Sequence, residues 1–153
     1  MNNTYLHLTL THLPIVGSLI ALLLLISGFL QKDGSITKAA LYLLIFLALV
    51  TFVVNHTGEE AEEFVEHLPG YSHDAIHAHE EIAEWAFRLM ILTGISAAAA
   101  LFMLIKRSAK ARLLVLVTLI ANLAAFGFMV YAGKKGGEIR HTEVQAKSGQ
   151  TVE

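Results

Sequence analysis

The sequence predicts an all-α integral membrane protein: a four-helix bundle with a short amphipathic outer helix between its second and third crossings. Three observations carry that prediction. Hydrophobic residues make up 55% of 153 positions and charged residues only 16%, and mean hydropathy is +0.59, a balance typical of membrane proteins rather than soluble domains. Four apolar runs, at 13–30, 39–54, 86–105 and 113–132, approach or reach the about 20 residues with which a helix crosses a hydrocarbon core. Charge is also segregated. Lys32, Lys38, Lys106, Arg107, Lys110 and Arg112 fall in or beside two short connections, whereas residues 57–84 hold nine acids and no lysine or arginine.

The first helix is expected at about 5–30. No basic residue precedes its apolar run and no small-x-small site follows ISGFLQK, so it reads as a retained transmembrane helix rather than a cleaved signal. Pro14 suits a first turn and otherwise kinks a helix by removing a backbone donor. The second helix, about 38–56, has the shorter apolar run, and Tyr42 and its flanks let it reach both surfaces. Next comes NHTGEEAEEFVEHLPGYS. Thr57 with Glu60 has capping-box spacing, and Ala61, Phe64, Val65 and Leu68 recur opposite Glu59, Glu62, Glu63 and Glu66, which predicts a surface helix over 58–67. Pro69 and Gly70 end it, and Ser72 caps a third helix, about 73–106, with Asp74 in its first turn. At 1.5 Å per residue that helix is roughly 50 Å long, so its first turns project beyond the bilayer. The fourth helix is expected at about 110–133, followed by a polar, flexible tail over 134–153.

Small residues at helix-packing spacing, such as Gly17 with Ala21, Gly94 with Ala98 and Ala121 with Ala125, permit close helix approach. Asn122, a costly amide in an apolar run, reads as interhelical glue. Tyr5, Trp85 and Tyr131 fit an interfacial aromatic belt. Basic loops stay in the cytoplasm, which predicts a bacterial inner-membrane protein with its termini and His/Glu-rich loop facing outward.

Function classes narrow next. The chain has no cysteine, which excludes disulfides, thiolate metal sites, covalent c-type haem attachment and thiol catalysis. No serine elbow, phosphate loop, HExxH, EF-hand or basic aromatic nucleic-acid patch occurs, so the chain is not expected to be an enzyme by itself. The predicted membrane middle holds no ionisable residue, which argues against transport. All eight histidines fall on the predicted outer side, five of them between 56 and 79.

The stretch SHDAIHAHEE divides at 100° per residue. His73, His77, Glu80, Glu81, Glu84 and Arg88 share one stripe, most simply solvated, while His79 aligns with Ala75, Ile82, Ala86 and Met90 and turns toward the bundle. His7 and His12, five apart, diverge by about 140°. By depth, His12 and His56 form one layer and His7 and His79 another. The candidate ligand set for a haem b or a transition metal ion (Fe, Cu or Zn) is therefore His79 with one or more of His7, His12 and His56. A carboxylate-rich alternative adds Glu60 and Glu80, with Glu59 or Glu63, in a non-haem site.

LHLTLTHLPI, residues 6–15, resembles the LHPLLVHFPI-type opening of a family of small four-helix bacterial membrane proteins of unestablished function. Leu6, His7, His12, Pro14 and Ile15 carry the match, with Thr57, Gly58, Gly136 and Gly137 as further shared features; Leu8 stands where the family has a proline. Some members adjoin c-type cytochromes. The resemblance implies a respiratory or redox setting for His7 and His12 and identifies no reaction. The leading expectation is a small redox-associated membrane protein, electron transfer among its roles, with the lipid bilayer and a c-type cytochrome or respiratory complex as partners. The alternative expectation is a non-catalytic accessory subunit whose acidic outer surface recruits a basic partner.

Overall fold

A computed structural model describes residues 3–66 and 72–140; His67, His141 and the expected tail beyond Arg140 lie outside the described residues. Five helical segments follow in order: α1 (Asn3–Leu10), α2 (His12–Gln31), α3 (Gly34–Glu66), α4 (His73–Ile105) and α5 (Ala111–Arg140), with no strand among the described residues. α1 and α2 form one span interrupted at Thr11. Pro14 explains the interruption, since it has no N–H to offer the Leu10 carbonyl and its ring crowds that oxygen.

The spans are long and apolar enough to cross a membrane, and only 33–39% of each apolar window is buried within the protein. Most of the apolar surface therefore faces outward: Leu23, Phe46, Leu49, Leu92, Ile95 and Ile120 are all exposed. That is a lipid-facing belt, because water would penalise so large a continuous apolar surface. α2 lies beside α3 and α5, and α4 lies beside the same two, so α2 and α4 are diagonal neighbours. The core is built from Leu25, Leu41, Leu44, Leu47, Met90 and Ala97.

Two elements depart from their expected bounds. Residues 58–66, expected as a separate surface helix, continue α3 without a break. The Thr57 hydroxyl bonds back to the Val53 and Val54 carbonyls at 2.9 and 3.1 Å, as a mid-helix threonine does, so it caps nothing. With no proline between Val54 and Pro69, nothing stops the helix at Val54. At the other end of the chain α5 extends seven residues past 133 to Arg140. Lys134 and Lys135 both pair with Glu138 one turn on, at 3.9 and 3.0 Å, and add helical support there. α4 begins as its cap predicts, with the Ser72 side chain accepting from the Ala75 N–H.

The α2–α3 turn is tight. Lys32 takes the left-handed conformation with φ 55°, and Asp33 Oδ1 accepts from the Ser35 and Ile36 N–H groups at 2.8 and 3.2 Å. Gly28 lets the helices close up, since a Cβ there would come within 2.8 Å of the Thr37 nitrogen. This turn and the α4–α5 connection gather the basic residues at one end; the described histidines occupy the other half.

The burial pattern also repeats. Pro14, Ser18, Ala21, Leu22, Leu25 and Gly28 are buried in α2, and the residues 72 positions later, Ala86, Met90, Thr93, Gly94, Ala97 and Ala100, are buried in α4. Thr37, Ala40, Leu44, Leu47 and Thr51 of α3 answer to Val115, Thr118, Asn122, Ala125 and Met129 of α5, 78 positions later, all buried. The bundle is thus two helical hairpins of matching design, with the first helix of each on the diagonal.

Candidate functional site

The repeat extends to the histidine end. His7 Nδ1 lies 3.0 Å from the Val54 carbonyl oxygen of α3, and His79 Nδ1 lies 2.9 Å from the Ala132 carbonyl oxygen of α5. A carbonyl oxygen only accepts, so each Nδ1 carries the proton and donates. In the neutral ring this fixes the tautomer and leaves the Nε2 lone pair available, the arrangement in which imidazoles ligate metals.

Both carbonyls are reachable for the same reason. In a helix the side chain at position i+4 covers the turn that precedes it, including the carbonyl of residue i. Four residues after Val54 is Gly58, and four after Ala132 is Gly136. A Cβ at Gly58 would come within 2.9 Å of His7 Cε1, and one at Gly136 within 3.2 Å of His79 Cε1. Each glycine therefore opens a seat for an imidazole that an alanine would crowd. Both rings are half-buried. His7, carried by the α1–α2 span, and His79, carried by α4, stand at equivalent positions of the repeat, 72 residues apart, on spans that are diagonal in the bundle.

The other expected ligands are placed elsewhere. His12 is exposed and its Nδ1 bonds to the Leu8 carbonyl of its own helix at 3.1 Å. The His56 side chain is 73% exposed, with Nε2 3.5 Å from Glu60 Oε1 one turn along α3. Neither joins His7 and His79, because their positions put them on the outward faces of their helices. The Glu60 and Glu80 of the carboxylate-rich alternative are likewise exposed. Among the described residues, no third His, Asp or Glu donor completes a three-ligand cluster with His7 and His79.

The division of SHDAIHAHEE follows the helical spacing. His73, His77, Glu80, Glu81 and Glu84 are exposed, Glu84 pairs with Arg88, and His79 turns inward. The carbonyls of Val54 and Ala132 escape sequence reasoning because a backbone acceptor has no letter of its own. The usable signal was the glycine one helical turn after each of them, at equivalent places in the two halves.

No family model, curated protein or solved structure matches the chain.

Proposed function

We propose that this protein is a redox-associated membrane protein that holds a haem b between His7 and His79 and works as an electron carrier. The observation that carries the reading is the paired, repeat-related imidazole arrangement, with each Nδ1–H committed to a carbonyl and each Nε2 free. A porphyrin supplies four equatorial nitrogens, so iron in haem needs only two protein donors. A bare zinc or copper ion typically needs three or more. Two imidazoles, with no third donor beside them among the described residues, fit the former.

Bound there, haem b would supply reversible one-electron transfer. The chain's own part is to orient the two rings through the Val54 and Ala132 carbonyls, and to exclude water with the apolar bundle below them. Exposed Glu59, Glu60, Glu63, Asp74, Glu80 and Glu81 surround that end with negative charge, which would steer a basic partner such as a c-type cytochrome toward it. With the basic connections in the cytoplasm, the histidine end faces outward from a bacterial inner membrane. The chain's opening resembles that of a membrane-protein family some of whose members adjoin c-type cytochromes, which supports this setting.

Purification in detergent, followed by visible spectroscopy and pyridine haemochrome analysis, tests the proposal. It predicts one haem b per chain with the sharp reduced bands of two-histidine ligation. A colourless protein that takes up no added haemin would overturn it.

A further inference from the structure

A second convergence of donors lies outside the His7–His79 pair. Glu62 of α3 and His77 and Glu80 of α4 each bring one ligand atom to within 4.8 Å of the other two. His77 Nδ1 stands 3.3 Å from Glu80 Oε2, one helical turn apart on the exposed stripe. An ordinary i,i+3 ion pair would end there. Here a half-buried carboxylate from a different helix closes on the same point, which brings together one imidazole and two carboxylates, donor types that bind transition metals.

We propose that Glu62, His77 and Glu80 form a divalent transition-metal site that ties α3 to α4 at the histidine end. Tetrahedral zinc ligands at about 2.1 Å from the metal stand roughly 3.4 Å apart; His77 and Glu80 already stand at that spacing, 3.3 Å, and the remaining separations, all within 4.8 Å, need only a small side-chain shift. His77 and Glu80 side chains are 66% and 56% exposed and free to make that shift. Three protein donors leave a fourth position for water. One imidazole with two carboxylates selects zinc or a neighbouring transition metal over magnesium and calcium, which prefer all-oxygen shells. The ion joins Glu62, one turn before the end of α3, to His77 and Glu80 in the first turns of α4, so it fixes how these two helix ends meet. His79 points to the other face of α4, which makes this site separate from the proposed haem ligands.

Isothermal titration of the purified full chain with zinc chloride tests the proposal, with circular dichroism verifying that each variant is folded. One zinc per chain is expected at this site. Both His77→Ala and Glu62→Gln should weaken it at least about tenfold, since even outer-shell partners cost that much. His79→Ala and His56→Ala should leave it unchanged, and excess magnesium should not compete. Zinc binding that survives both His77→Ala and Glu62→Gln, or no stoichiometric binding by the folded wild-type protein, would overturn it.

Discussion

At the scale of single residues, the glycines make the account checkable. Replacing an exposed helical glycine by alanine ordinarily gains up to about 1 kcal/mol. Gly137 has nothing within 4 Å of an added Cβ, so Gly137→Ala should follow that rule and raise the thermal midpoint. Gly58→Ala should do the reverse. Its Cβ would push His7 from the Val54 carbonyl, stranding a half-buried N–H at a cost of about 1–3 kcal/mol and weakening haem binding by about 10–100-fold. Gly136→Ala, with slightly more room, should show the same sign and a smaller effect. Haem titration and thermal unfolding of the three variants would check this order. His12→Ala and His56→Ala, on exposed side chains, should change stability by less than about 0.5 kcal/mol.

At the scale of helices, Asn122 is the anomaly. Its Nδ2 donates to the Ser18 carbonyl at 3.1 Å, joining α5 to α2 as the sequence suggested, yet its Oδ1 is buried without a hydrogen-bond partner. A membrane hydrogen bond contributes about 0.6 kcal/mol, whereas an unsatisfied buried oxygen costs about 1–3 kcal/mol. Asn122→Leu should therefore raise the thermal midpoint in detergent, and a clear fall would show that the amide matters more to packing than this balance allows. The four spans were legible because apolar length is a strong signal, and the α4 cap because Ser72 and Asp74 stand next to Pro69 and Gly70. The end of α3 was not. The apolar and acidic periodicity of 58–66 is the same for a separate surface helix as for one that continues, and only the absence of a breaker after Val54 separates the two. The inward turn of His79 followed from its spacing, but that His7 seats on a neighbouring helix while His12 and His56 stay exposed depended on a carbonyl that Gly58 leaves uncovered.

At the scale of the whole molecule, two matched hairpins put like elements at like places: both tight connections at the basic end, both seated histidines at the other. Because the halves share a burial pattern rather than letters, with Ser18 answering to Met90 and Leu44 to Asn122, the repeat is hard to see in sequence. The chain's lack of cysteine makes its orientation measurable without background. Ser72→Cys should react with an impermeant maleimide from outside intact cells and Ser108→Cys only after permeabilisation; the opposite pattern would invert the proposed topology. The pairing of His7 with His79 is the central claim, and haem titration of the single variants His7→Ala, His79→Ala, His12→Ala and His56→Ala tests it most directly. The account predicts that the first two lose two-histidine ligation to equal degree while the last two bind like the wild type. A spectrum unchanged in His7→Ala or His79→Ala, or lost in His12→Ala or His56→Ala, would contradict it.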